Sequence, residues 1–264
     1  MSSPASGVGD AIARAFADHG HTAALMPYLM GGYPDLAGSR DCVKAAAAAG
    51  ADLIELGVPF SDPLADGPVI HAAATRALAA GVTPDSVLEV CESVAGELPV
   101  ILMVYANVVM SAGIDAYPCR AAAAGAAGLI VPDLPHEEAG ALRAACDAAG
   151  IALIPLVAPN TPEWRVAEIG TDARGFVYAV SLTGTTGERS ELPPELPAMV
   201  DRVRGATGMP VAVGFGISTP EQVRQVGELA DGVIVGSRVV RAAGDGGATA
   251  VAELVRDLAE ALAG

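Results

Sequence analysis

The chain has 264 residues, with 15 lysines and arginines against 31 aspartates and glutamates and a net charge of −16. Such an acidic balance excludes a general nucleic-acid binder, which needs cations to release counterions, and a protein of anionic membrane surfaces. With 52% hydrophobic and 17% charged residues and a mean hydropathy of +0.44, most of the chain is too apolar for disorder, and no apolar stretch reaches the about 18 residues of a membrane span.

Residues 1–10 carry neither a basic nor an apolar region of a signal peptide, so the cytoplasm is the expected compartment. From there apolar runs rich in β-branched residues alternate with helical segments. Ala24–Met30 is followed by a helix over Asp41–Ala49, and Asp52–Gly57 by helices over Val69–Ala80 and Pro84–Ala95. Val100–Tyr105 and Gly128–Val131 come next, then a helix over His136–Ala149. Ile151–Val157 precedes a helix over Pro162–Ile169, Gly175–Ser181 one over Glu195–Val203, Pro210–Gly214 one over Glu221–Val226, and Gly232–Gly236 one over Val251–Leu262. The runs are continuously apolar rather than alternating, which suits strands buried on both faces of a parallel sheet.

Local chemistry punctuates these elements. Thr83-Pro84, Thr161-Pro162 and Thr219-Pro220 each set a side-chain cap before a proline at the first helical position, with Ser218-x-x-Glu221 as an alternative capping box. Gly50, Gly81 and Gly150 end helical stretches as left-handed caps would. Eight strands alternating with helices, undivided by any linker, predict a single-domain (β/α)8 barrel over residues 1–264. A doubly wound open sheet is the alternative, but Met30-Gly31-Gly32-Tyr33-Pro34 is not its Gly-x-Gly-x-x-Gly turn.

Cys42, Cys91, Cys119 and Cys146 form no Cys-x-x-Cys and read as free thiols in a reducing compartment. His19, His21, His71 and His136 form no ligand motif, so no metal is expected. Lys44, the one lysine, reads as a solvated helix residue rather than a Schiff-base former.

In a barrel of this type the reacting groups gather at the carboxyl ends of the strands. Glu55 lies there, between Ile54 and Leu56. Pointing inward it would be desolvated and held near neutral pH as a general acid–base; pointing outward it would be an ordinary surface or ion-paired glutamate. Asp62 and Asp66 follow in a loop, each beside a proline or glycine, where turn and capping roles compete with chemistry. Three Gly-rich loops, Thr183–Gly187, Gly214–Ser218 and Gly236–Ser237, follow the last three runs. Backbone N–H groups there and at a helix opened by Ser237 could hold a phosphate without a lysine. Tyr28, Tyr105, Tyr178 and Phe215 are core residues or the lining of a pocket for a flat apolar group.

The string from Glu55 to Pro68, ELGVPFSDPLADGP, closely resembles the tryptophan synthase alpha chain family. Gly32-Tyr33-Pro34, Tyr105-Ala106-Asn107, Pro132-Asp133-Leu134-Pro135, Ala158-Pro159-Asn160-Thr161, Gly175–Tyr178, Gly214–Ser218 and Gly232–Ser237 extend the resemblance over residues 10–262. It implies a (β/α)8 lyase that cleaves indole-3-glycerol phosphate to indole and glyceraldehyde 3-phosphate, without metal or organic cofactor. It also implies a pyridoxal-phosphate-dependent β-chain as partner, in an α2β2 assembly. By the resemblance Glu55 is the general acid–base and Asp66 the partner of the indole N–H. Gly187, Gly216, Gly236 and Ser237 bind phosphate, and Thr186 is the threonine of a mobile loop. Tyr28, Tyr105 and Phe215 line the indole pocket, Tyr178 packs near Glu55, and Asp62 and Asp133 respond to the partner. Loop 182–197, with Leu182 and Thr183, departs from the family pattern and motivates an alternative, a stand-alone lyase releasing free indole. A non-catalytic activator of a β-chain is the other alternative, against which the retention of both carboxylates argues.

Overall fold

The computed structural model describes residues 9–180, 192–214 and 216–263. Nine parallel strands are found among them: β1 (Ala24–Met30), β2 (Ile54–Gly57), β3 (Val100–Met103), β4 (Ala126–Ile130), β5 (Ala152–Ile154), β6 (Leu156–Val157), β7 (Val177–Val180), β8 (Val211–Gly214) and β9 (Gly232–Val235). Pairing runs β5-β4-β3-β2-β1-β9-β8-β7-β6. Its two ends, β5 and β6, are the halves of one predicted run, split at Pro155, which has no N–H for a ladder. The ring therefore closes through the chain itself. Eight staves, the fifth divided between its neighbours, make the expected (β/α)8 barrel, and strand ends depart from expectation by no more than two residues.

The continuous apolar runs are explained by two packed layers. Leu25, Leu29, Ile54, Leu56 and Leu102 face outward beneath the helices, while Met26, Leu53, Ile101, Ile130 and Phe176 fill the barrel. Both faces of each strand are dry, so apolar residues occupy both parities. The amino-terminal end is closed by α1 (Asp10–Asp18), a helix not foreseen in the sequence. Its Ile12 is fully buried, and Phe16 lies 5.5 Å from Phe176 between ring centroids.

The remaining helices are α2 (Leu36–Ala48), α3 (Pro68–Ala79), α4 (Pro84–Glu92), α5 (Ala106–Ala112), α6 (Ala116–Ala123), α7 (Gly140–Ala149), α8 (Glu163–Asp172), α9 (Leu196–Ala206), α10 (Pro220–Gly227) and α11 (Ser237–Leu262). Several differ from expectation. α2 begins five residues before Asp41, because the Asp35 carboxylate accepts from Gly38 N at 2.8 Å and caps it there. α5 and α6 are short helices of seven and eight residues whose asparagine, serine and proline content hid them; Pro118 sits in the first turn of α6, where its missing N–H costs nothing. The helix expected from His136 starts as a 3-10 turn over His136–Glu138, with Ala139 N donating back to His136 O.

Thr83 and Thr219 cap α4 and α10 as expected, each in a reciprocal capping box, with Ser86 and Gln222 respectively. Thr161 does not cap α8. Its hydroxyl turns back to accept from Ala158 N at 3.0 Å, and Pro162 stands at the N-cap without a side-chain bond. The Ser218–Glu221 box is likewise replaced, since Gln222 takes the Ser218 and Thr219 N–H groups. The glycine caps hold: φ is +108° at Gly50, +81° at Gly81 and +78° at Gly150. The C-terminal helix and the short helix opened by Ser237 run on as α11, broken at Gly247, where φ 60° and ψ −148° leave the helical region. Cys42, Cys91 and Cys146 are buried and Cys119 is exposed, all four as free thiols. Among the described residues no helix is long and apolar enough to cross a membrane.

Candidate active site

Parallel register sets Tyr28 of β1 beside Glu55 of β2, and Glu55 beside Ile101 of β3. Side chains alternate along a strand, so Glu55 shares the inner face with Leu53, and Ile54 and Leu56 go outward. The apolar flanks that drew attention to Glu55 thus pack against the outer helices. What desolvates its carboxyl is the barrel interior. Glu55 is 1% exposed, and neither carboxyl oxygen has a hydrogen-bond partner among the described residues. Burial, and secondarily the charge of Asp66, push its pKa up to about 8. The outward or ion-paired alternative is thereby removed.

Asp66 reaches the same space from the β2–α3 loop. Tyr105, at the end of β3, donates its hydroxyl to Asp66 Oδ1 at 2.9 Å and accepts from Ala65 N at 3.1 Å. Phe60 stacks on the Tyr105 ring at 5.1 Å. Burial raises the Asp66 pKa, while the Tyr105 hydroxyl and the charge of His71 oppose the rise. The two carboxyl groups therefore differ in kind: one unpartnered and neutral at pH 7, the other held by a donor that favours its anion.

Tyr28 and Tyr178 complete the floor, each leaning across a glycine of the neighbouring strand. A Cβ on Gly57 would run into the Tyr28 hydroxyl, and one on Gly214 would stand 2.6 Å from the Tyr178 hydroxyl. Burial raises both phenol pKa values well above the ordinary range, so both stay protonated. The cavity bounded by Tyr28, Glu55, Asp66 and Tyr178 also meets Gly216, Gly236 and Ser237. Gly236 stands at the N-cap of α11 and Ser237 at its first position, without a side-chain cap; Val239 N already donates to Gly236 O at 2.9 Å, which leaves the Ser237 and Arg238 N–H groups to face an anion. The enclosed space is about 60 Å³, below the roughly 300 Å³ of common small-molecule sites, so a bicyclic ring needs lining side chains to yield.

Tyr28, Glu55, Asp66, Tyr178, Gly216, Gly236 and Ser237 are thus brought together, and Tyr105 acts at one remove through Asp66. Thr186, Gly187 and Phe215 lie outside the described residues. Sequence reasoning missed Ile70, Met103 and Ile234, which also line the cavity. Period-two counting from Ile101 would have found Met103, and the same counting from Gly232 would have found Ile234; Ile70, on the first turn of α3, carries no such signal.

A closed (β/α)8 barrel with a buried, protonated carboxyl and a second carboxyl group at the carboxyl ends of its strands has the architecture of a barrel enzyme equipped for general acid–base chemistry. The sequence profile of the tryptophan synthase alpha chain family matches residues 15–262. The tryptophan synthase alpha chain of Synechococcus sp. strain CC9902 is 52% identical over 83% of this chain and 82% of that protein. Its counterpart from Picosynechococcus sp. strain PCC 7002 is 47% identical over 91% and 94%. A solved Mycobacterium tuberculosis tryptophan synthase superposes with a TM-score of 0.89 at 38% identity, covering 95% of this chain and 97% of that one. The chain belongs to the tryptophan synthase alpha chain family.

Proposed function

We propose that this chain, acting as one domain over residues 1–264 in the cytoplasm, cleaves indole-3-glycerol phosphate to indole and glyceraldehyde 3-phosphate as the alpha subunit of tryptophan synthase. The observation that carries the reading is the Glu55 carboxyl, buried and unpartnered within reach of the cavity that Asp66 also borders.

The chemistry follows from that pair. Glu55, neutral at rest, delivers its proton to the indole ring carbon bearing the side chain. The ring nitrogen becomes cationic, and Asp66 accepts the N–H and balances the charge. Glu55, now a carboxylate, takes the proton of the adjacent side-chain hydroxyl. The carbon–carbon bond breaks, its electron pair restores the neutral indole, and the side chain leaves as the aldehyde. Glu55 ends protonated, so no net proton is drawn from water. The phosphate lies against the backbone N–H groups near Gly216, Gly236 and Ser237, with Thr186, Gly187 and Phe215 assigned to the same site by the resemblance. Holding the anion by main-chain dipoles suits a protein of charge −16, because no lysine is needed there.

The β-chain partner is supported on the rim. Asp62 is exposed beside Leu64, which is 85% exposed. Asp133 accepts from Ala106 N at 2.8 Å, tying the β4 loop to the start of α5 next to Tyr105. The deciding experiment is turnover of indole-3-glycerol phosphate by the purified chain, alone and with a β-chain. Indole formation stimulated by the β-chain is expected; full activity without stimulation would favour the stand-alone lyase, and no turnover in either case would refute the reading.

A further inference from the structure

A cleft of about 250 Å³ opens between α7 and α8, where the fifth stave is broken at Pro155. None of its lining residues borders the catalytic cavity. Its floor is apolar: Leu153 and Ile169 are buried, and Leu134 and Leu156 are half-buried beside them. Charged groups ring the mouth in a definite order of depth. Arg143 on α7 is 23% exposed and holds Asp172 at 3.0 Å, Asp172 being 42% exposed. Arg165 on α8 is 19% exposed and holds Glu137 at 2.5 Å, Glu137 being 59% exposed. The guanidinium groups therefore lie deeper than the carboxylates that pair with them.

That order has a chemical meaning. Exposed ion pairs are worth little and yield easily to a competing ligand. Each guanidinium has five N–H donors in a planar fork, only some of which the present carboxylates engage. A ligand carboxylate would meet these inner donors, an ammonium would meet Asp172 and Glu137 at the rim, and an apolar side chain would cover the leucine floor. A simple anion would leave the rim carboxylates opposed to it, and a simple hydrocarbon would leave the arginines unused. The volume lies below the range of drug-sized sites, roughly 300–1,000 Å³. We propose that this cleft is a binding site for a free α-amino acid with an apolar side chain.

The cleft also abuts the catalytic barrel. Pro155 O accepts from Tyr178 N at 3.0 Å, and Leu156 pairs in register with Tyr178, the residue facing Glu55.

The chain supplies its own reporter. Trp164 is its one tryptophan, 59% exposed, with the Arg165 guanidinium 4.6 Å from the ring centroid. The test is isothermal titration of the full-length chain with L-phenylalanine, with Trp164 fluorescence followed in parallel. Saturable one-site binding with a matching fluorescence change is expected. 3-Phenylpropionate, which lacks the ammonium, and phenethylamine, which lacks the carboxylate, should each bind at least about tenfold more weakly. Arg165→Gln should lower affinity about tenfold or more, and Leu134→Trp, at a half-buried position, should fill the cleft and abolish binding. Retained indole formation shows that both variants are folded. No saturable heat up to roughly 10 mM L-phenylalanine, equal binding of either truncated analogue, or unchanged binding in both variants would overturn the proposal. None of these results bears on the lyase reading, whose residues lie elsewhere.

Discussion

Glu55→Gln separates the chemistry of the site from its cost to the fold. In the unfolded chain a glutamate ionises near 4.5, whereas in the barrel burial holds Glu55 neutral up to about 8. Between these values the unfolded state binds fewer protons than the folded state, so stability falls as pH rises. The contribution is fully present below 4.5 and fully lost above 8. At pH 7 the loss is roughly 3 kcal/mol, from about 1.4 kcal/mol for each pH unit above 4.5, approaching about 5 kcal/mol beyond pH 8. Glutamine keeps the shape and cannot ionise. Its amide is as unpartnered as the neutral carboxyl it replaces, so that penalty largely cancels. Glu55→Gln is therefore expected to be more stable than the parent by roughly 2–3 kcal/mol at pH 7 and equal to it near pH 4.5. Indole formation should fall at least about 100-fold for want of the general acid–base. Urea unfolding of both proteins at half-unit pH steps from 4.5 to 8.5 measures the difference directly. A stability difference that is flat across that range would show that Glu55 does not titrate as its burial demands, and the mechanism would lose its acid.

Four further perturbations address the rest of the site. Asp66→Asn should remove nearly all indole formation while leaving the unfolding midpoint within about 1 kcal/mol of the parent, because the asparagine oxygen can still accept from Tyr105. Tyr105→Phe deletes the donor that lowers the Asp66 pKa, so the acid limb of the kcat/KM profile should move to higher pH; an unmoved limb would disconnect Tyr105 from Asp66. Gly214→Ala drives a methyl group against the Tyr178 hydroxyl and should cost about 1–3 kcal/mol in thermal unfolding, with turnover reduced as the ring is displaced toward Glu55. Ser237→Asp puts a negative charge on the first turn of α11, where the substrate phosphate is assigned, and should raise KM about tenfold or more with little loss of stability, measured by steady-state kinetics.

The legibility of this protein in its sequence varies by element. Thr83 and Thr219 were read correctly because a cap and its partner lie within one helical turn, and the positive-φ glycines at 50, 81 and 150 were visible for the same reason of locality. Thr161 has the same local pattern as those two threonines, yet its hydroxyl accepts from Ala158 N while its own N–H donates to Ala158 O, so it closes the preceding turn instead of capping α8. α1, α5 and α6 were missed because short helices take their stability from the surfaces they cover, as Ile12 and Phe16 do at the base of the barrel. Glu55 was identified by an argument only partly right: its position at a strand end was informative, but Ile54 and Leu56 face the other way.

The order of strands, the helix signals and the identity of the strand-end groups were set by the chain alone, since each depends on residues a few positions apart. Closure of the barrel decided which parity of each strand faces inward, and with it the burial of Glu55. The Tyr105–Asp66 hydrogen bond, between residues 39 apart, arises only when parallel register brings separate loops to one end, and the ion pair from α7 to Asp172 of α8 only when the two helices pack side by side on the barrel. Desolvation and hydrogen bonding act through distance in space, and the linear order of residues does not contain that distance.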